Sequence, residues 1–392
     1  MIGFFLGVVD MIRRMNLKYK ILLFLLSGFI VWIFVIQFQT YTYPDKKELN
    51  LRLNYLERVI KEPLASNSEV MLLGRESYEF MLFSYSYSTY AFTNLAVKDS
   101  TYQERVVPTI KESIIKVLDN KITSFYSIEE NFTEFDSIPD YSVLYLGHLN
   151  LMLGCYRLLS DDTTFDSLND KISKSLYLRY RKTSFLNLES YPSAIWIPDN
   201  TVALASLALH AHNTGSEYDS VCRDWMQYAK AHYIDKKTRV LCSTVNPLTG
   251  EFGEDPRGSM LGWSIMFIYQ FDPVFAVELY DAYKNSFSNE FMIFRLFKER
   301  YRSSEISLGD IDSGPVFLGY SIPANEFALG GAVIAKDFKT ARKLQRLINF
   351  GASSSDENGE LKYNVRFVDM NISPMAEALV LNSLTITRWI KD

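Results

Sequence analysis

A chain of 392 residues with a net charge of −5 and no block of basic residues is a poor fit to nucleic acid, whose phosphates are met by clustered Lys and Arg. Its three cysteines, Cys155, Cys222 and Cys242, are too few and too widely spaced for a disulfide framework or a metal site. Aromatic residues make up 15% of the chain, with 25 Tyr and 27 Phe, enough for a ring-rich core and for a pocket lining that takes a hydrophobic or sugar-like ligand.

Residues 21–38, ILLFLLSGFIVWIFVIQF, carry no charge. At about 1.5 Å per residue they nearly cross a hydrocarbon core of roughly 30 Å, where backbone groups are satisfied only within a helix. The apolar core is longer than that of a cleavable signal peptide, and Gln39, Tyr41 and Tyr43 follow it rather than small residues. A retained transmembrane anchor is therefore expected. Arg13, Arg14, Lys18 and Lys20 precede it, which keeps residues 1–20 in the cytoplasm and sends residues 39–392 out across the cell membrane. Residues 1–12 are apolar but too short to span, and are expected to lie along the membrane surface.

Beyond the anchor the apolar pattern recurs at three and four residues, the period of helices. Two candidates fall near 78–95 and 102–118. Residues 145–159 are apolar on most of their circumference, with Tyr145, Leu149, Met152 and Tyr156 in one row and Leu151 and Cys155 in another, so this helix is buried on both sides. Residues 166–181 have a wet face. The alternation of buried and amphipathic helices repeats at 201–212 and 218–233, at 259–270 and 273–286, and at 326–335 and 338–350, before a last helix at 374–390. Paired helices in this order predict an all-α (α/α)6 barrel, in which an inner ring is wrapped by an outer one. Residues 239–252, RVLCSTVNPLTGEF, alternate and then turn at Asn246–Gly250, and are expected to form a small β-hairpin insertion. The Ser- and Gly-containing stretch 353–359 reads as an open loop. Nothing Pro-, Ser- or Gly-rich divides residues 39–392, which are expected to form one domain.

Four polar clusters fall at the starts of inner helices, where a barrel directs them into its cavity. The first runs from Asp140 through Tyr145 to His148, an imidazole in an apolar run that is either a core residue or a general acid/base. In the second, Trp196-Ile197-Pro198-Asp199-Asn200-Thr201, one of Asp199 and Asn200 is expected to cap the helix and the other to face a ligand. The third is Glu254-Asp255-Pro256-Arg257-Gly258-Ser259 leading to Trp263, where a guanidinium could hold a carboxylate. The fourth is Asp310-Ile311-Asp312-Ser313-Gly314, with Glu326 on the next helix; paired carboxyls of this kind serve glycosidases, and Asp and Gly also populate ordinary turns. No nucleophile triad, nucleotide fingerprint or metal-ligand spacing appears, so no cofactor is expected.

At these clusters the sequence resembles the linalool dehydratase/isomerase family. The residues that carry the resemblance are Tyr145-x-Gly147-His148-Leu149-Asn150-Leu151-Met152, the tripeptide Pro198-Asp199-Asn200, Thr214 to Tyr218, Trp225, Asn246-Pro247, Trp263 and Asp272-Pro273. The resemblance implies an α/α barrel, acid/base work by His148, and a lyase or isomerase reaction on an isoprenoid-type alcohol. The family's pair of catalytic cysteines flanks the tripeptide; here Trp196 stands at the upstream place, and no cysteine stands at the downstream one. Acid/base work then passes to His148, Asp199, Asp255 and Asp312, with Tyr145, Trp196, Asn200, Arg257, Trp263 and Glu326 as substrate contacts. Two further readings stand beside it: a glycan-active barrel enzyme with paired carboxyls, and a ligand-binding module without catalysis. The sequence leaves the oligomeric state open.

Overall fold

The computed structural model describes residues 15–38, 43–126, 139–301, 309–366 and 371–390. The expected surface segment 1–12, with Arg13, Arg14 and Tyr41, lies outside the described residues. Helix α1, Leu17–Gln37, is long and apolar enough to cross a membrane, a property that a signal sequence near an N-terminus shares.

The chain then forms the expected (α/α)6 barrel. Six inner helices are α3 (Tyr78–Lys98), α5 (Val143–Leu159), α7 (Ile197–Thr214), α9 (Gly258–Phe271), α11 (Ile322–Ile334) and α13 (Pro374–Thr385). Six outer helices are α2 (Lys46–Lys61), α4 (Gln103–Val117), α6 (Asp166–Lys182), α8 (Ser220–His232), α10 (Pro273–Phe287) and α12 (Phe338–Gly351). Each inner helix packs on the next, and α13 returns to α3 to close the ring.

The sorting follows composition. Inner helices bury nearly every residue, polar ones included, as Ser84, Ser88 and Thr93 do by bonding back to the carbonyl four residues earlier. Outer helices bury one stripe, such as Val106, Ile110, Ile114 and Val117 of α4. Close packing of the inner ring needs a missing side chain at Gly262, where a Cβ would come within 2.5 Å of the Cβ of Phe327 on α11. Helix starts are fixed by Pro in the first turn of α7, α10, α11 and α13, and by Asp272 Oδ1 accepting from the Phe275 amide at 2.8 Å.

The outer partner unforeseen in the sequence is α2. It seals the ring to the last inner helix through the buried Arg52–Glu377 pair at 3.3 Å, and Asn94 of α3 is bonded to Asn382 of α13 at 2.8 Å.

Every outer helix returns the chain to the end where inner helices begin, and the small strands lie at this end, the mouth. The insertion expected at 239–252 keeps its Asn246–Gly250 turn. A local hairpin closes around it, with the Val245–Phe252 bridge flanked by backbone bonds from Asn246 to Glu251 and from Gly253 to Thr244, and its strand β2 (Thr244–Val245) also pairs with β1 (Ile195–Trp196) before α7. Three further units were not foreseen: β3 (Ser288–Phe291) with β4 (Phe294–Phe297); β5 (Gly309–Asp310), β6 (Gly314–Phe317) and β7 (Tyr320–Ser321); and β8 (Ala352–Glu357) with β9 (Glu360–Val365). The last replaces the open loop expected at 353–359, because Asn358 and Gly359, both at positive φ, close a tight hairpin. Helix α1 meets the barrel at α12, where Trp32 stacks on Phe350 at 4.7 Å.

Candidate active site

Helix α7 begins at Ile197, four residues before the expected start, because Pro198 fits a first turn. Asp199 and Asn200 therefore sit inside that turn, and neither caps it. Asn200 is fully spent on structure: its amide donates to Leu188 O (3.0 Å) and Trp196 O (2.8 Å), and its Oδ1 accepts from the Leu188 amide (2.8 Å) and the Tyr180 hydroxyl (2.9 Å). It clamps the preceding loop and leaves Asp199 as the group free for chemistry.

Asp199 is 5% exposed. Burial pushes its carboxyl up to about 8, with the charges of Glu79 and Asp312 adding to the rise and a hydrogen bond to Ser190 opposing it. Glu79, the second residue of α3, accepts a hydrogen bond from the Tyr191 hydroxyl. Its own carboxyl is raised by burial first and by Asp312 as well. Asp312, on the turn between β5 and β6, is raised by burial despite Arg257 Nη1 at 3.4 Å. That guanidinium is shared: Nε meets Glu299 at 2.9 Å and Nη2 meets Asp310 at 2.8 Å. Buried Arg257 thus folds the β5–β6 turn over the mouth and neutralises Asp312 only in part. Three carboxyls from separate parts of the ring, Glu79, Asp199 and Asp312, converge by this construction, each biased toward its protonated form.

Beneath them, rings fill the barrel axis. Trp263 of α9 lies 4.9 Å from Phe83, 5.6 Å from Tyr87 and 5.7 Å from His148, ring centre to ring centre. Among the described residues the Tyr87 hydroxyl, His148 Nε2, Trp263 Nε1 and the Tyr126 hydroxyl are buried without a hydrogen-bond partner. A ligand rich in oxygen atoms could satisfy such groups, which are costly when left bare. His148 Nδ1 lies 3.0 Å from the Tyr90 hydroxyl, and burial pushes the imidazole down to about 3, so it is neutral near neutral pH.

The other candidates are dispersed. Tyr145 is a core residue whose hydroxyl donates to Val117 O at 3.0 Å. Trp196 is half-buried on β1 at the mouth. Asp255 and Asp140 are exposed, Asp140 reaching Arg179 at 3.8 Å. Glu326 is buried and pushed up to about 8 by desolvation, but its charged neighbour is Glu377 on α13 rather than the mouth group. All three thiols are buried, and burial pushes Cys155 and Cys242 up to about 12. Among the described residues no group of three or more His, Cys, Asp or Glu is disposed to hold a metal ion. Sequence reasoning missed Glu79, Tyr191 and Glu299. For Glu79 a signal existed, a lone acid opening the apolar run YEFMLF.

No family model matches the chain. Solved structures similar to it include the unsaturated glucuronyl hydrolase from Streptococcus agalactiae (13% identity over 86% of this chain and 88% of that one, TM-score 0.51). Others are the unsaturated glucuronyl hydrolase from Bacillus sp. GL1 (11%, 77% and 85%, TM-score 0.52) and an unsaturated glucuronyl hydrolase specific for heparin (10%, 85% and 96%, TM-score 0.52). At such identities the likeness establishes the barrel fold. It also corrects the family resemblance: the neighbours are glucuronyl hydrolases, not linalool dehydratase/isomerases, and the lyase or isomerase reaction on an isoprenoid alcohol falls with it. The matched residues are largely architectural. Gly147 lets α5 approach α7, where a Cβ would stand 3.1 Å from Ala203; Asn150 bonds Ser206 at 2.8 Å and Ser173 at 3.0 Å; Asn200 clamps a loop; Trp225 bonds Asn187 at 2.9 Å. Such residues report a ring of helices whatever reaction it houses.

Proposed function

We propose that this protein is a membrane-anchored, glycan-active enzyme of the hydrolase or lyase type, with its site at the barrel mouth. The observation that carries the reading is the buried carboxyl of Asp199, raised to about 8, beside Glu79 and Asp312. A protonated carboxyl near neutral pH is a general acid, and a second carboxyl that gives up its proton more readily is the base that activates water; this division of labour cleaves glycosidic bonds. Asp199 takes the acid role, and Glu79 or Asp312 the other. Trp196 and Trp263 offer ring faces to a sugar, and the unpaired Tyr87, Tyr126 and Trp263 groups offer hydrogen bonds. Arg257 positions Asp312. His148, neutral and ringed by aromatics, belongs to the floor. The fold neighbours named as glucuronyl hydrolases support a sugar-like ligand, one of them described as responsible for the degradation of glycosaminoglycan.

The anchor belongs to the same proposal. Lys18 and Lys20 lie at the start of α1 and Arg13 and Arg14 before it, so residues 1–20 stay in the cytoplasm and the barrel stands outside.

The test uses the full-length chain in detergent, with oligosaccharides ending in unsaturated glucuronyl groups and with intact oligosaccharides. Binding is read as a rise in melting temperature, and turnover of the unsaturated sugars as loss of their ultraviolet absorbance. Stabilisation and turnover that Asp199→Asn abolishes are expected. A folded protein that responds to no glycan overturns the reading.

A further inference from the structure

The direction of α1 relative to the barrel fixes which end of the site meets the membrane. Phe29 and Trp32 pack on Phe350, near the C-terminal end of α12, and Gln37 O accepts from Arg346 one turn earlier in that helix. Helix α1 therefore runs antiparallel to α12. Since α12, like every outer helix, ends at the mouth, residues 17–28 of α1 project beyond the mouth by about 18 Å at the usual helical rise. The start of α2 is tied to the opposite end of the barrel, where Lys46 meets Asp99, the residue after α3, at 3.0 Å. Helix α1 therefore lies toward the mouth and the start of α2 at the opposite end.

Two further observations agree. Along the stretch where α1 and α12 run side by side, Phe29, Ile30, Val31, Phe34 and Val35 remain exposed. Apolar surface of that extent asks for a non-aqueous cover. At the mouth, beside this stretch, exposed apolar side chains stand on turns rather than in grooves: Phe317 and Leu318, 76% and 77% exposed, at the β6–β7 turn, Ile311 at the β5–β6 turn, and Ile322 opening α11. Tyr78 and Phe125, stacked at 3.6 Å and also exposed, continue the rim across the opening. Among the described residues the opposite end shows fewer large exposed apolar side chains, Val274 and Phe338 at two helix starts and Tyr43 before α2.

We infer that the mouth of the barrel faces the bilayer that α1 enters, with residues 29–35 of α1, the Phe317–Leu318 turn and Ile322 dipping together into its outer leaflet. The occupant of this apolar rim is lipid. Large apolar side chains on protruding turns gain by leaving water for the acyl boundary, while the anchor holds them in place. This rests on the anchor reading, and the two fail separately.

The test places the full-length protein in vesicles whose phosphatidylcholine carries bromine on its acyl chains. Single cysteines are introduced by Leu318→Cys at the mouth and Val274→Cys at the opposite end, and each is labelled with a small fluorophore. The native thiols are buried, so unlabelled wild type serves as the blank. Several-fold quenching at position 318 and none at 274 is expected. Quenching at 274, or at neither position, in protein that resists extraction by alkaline carbonate overturns the orientation. Release of the protein by carbonate overturns the anchor itself. A second pair, Phe317→Cys and Phe338→Cys, repeats the contrast should either first variant fold poorly.

Discussion

The hydroxyl of Tyr191 donates a hydrogen bond to the carboxylate of Glu79, joining the loop before α7 to the first turn of α3 across 112 residues of sequence. The bond lowers a carboxyl that burial raises, so it sets how easily Glu79 ionises beside Asp199. Tyr191→Phe removes the donor and leaves Glu79 harder to ionise. The acidic limb of the pH–rate profile should then move to higher pH, with about 1 kcal/mol lost in stability. An unmoved acidic limb in a folded variant would detach Glu79 from the reaction.

Asp199→Asn should lower turnover by roughly two to four orders of magnitude, and it should also change the pH dependence of stability. A carboxyl whose folded pKa is raised from 3.8 to about 8 binds its proton more tightly in the folded state. Its contribution is fully present below about 4 and is lost as pH rises through about 8. The stability of wild type relative to Asp199→Asn should therefore fall steadily across that window, by on the order of a few kcal/mol at most. Melting temperatures of the two proteins from pH 4 to 9 read it directly, and parallel curves would show that Asp199 is not raised.

For His148 the sign is opposite. Its folded pKa is lowered from 6.5 to about 3, so the folded state binds fewer protons between those values, and stability drains away as pH falls through that range. His148→Gln should flatten this acid-side loss, cost about 1–3 kcal/mol near neutral pH and leave turnover per folded molecule nearly intact. A loss of turnover as large as that of Asp199→Asn, without a change in melting temperature, would return the proton-transfer role to His148.

Arg257 is 2% exposed and contacts Glu299, Asp310 and Asp312. Its removal in Arg257→Met strands three carboxylates in partly buried places, a change that typically costs 3–5 kcal/mol, so about that loss is expected in urea unfolding. Arg257→Lys should recover little, because an ammonium cannot fork toward three partners. Full stability in either variant would show that the β5–β6 turn stands without it.

The barrel was legible because inner and outer helices write different patterns: the all-round apolarity of residues 145–159 and the single stripe of residues 218–233 need no partner to be recognised. Helix α2 escaped notice although Leu49, Leu53, Leu56 and Ile60 share a face, since the surface they cover includes α13, more than 300 residues away. The geometry of the candidate site was legible in part. Asp199, Asp312, Arg257 and Trp263 were named from their clusters and do gather at or below the mouth. Asp255 stayed on an exposed loop, and Asn200 proved to be a clamp because the helix starts four residues earlier than its apolar period announces. Glu79 could not be joined to Asp199 from sequence, because what links them is the closure of the ring. The family resemblance failed for a related reason: its residues are the ones that any such ring must fix.

The Arg52–Glu377 seam joins the first outer helix to the last inner one across 325 residues. During synthesis α2 emerges long before α13, so the growing chain carries an unfinished ring for most of the time between them. The apolar flank of α2 and the inner face of α3 stay open until the final helix is delivered. Apolar surface left open in this way is prone to aggregate, so the seam closes safely only if neighbouring chains stay apart until α13 has emerged.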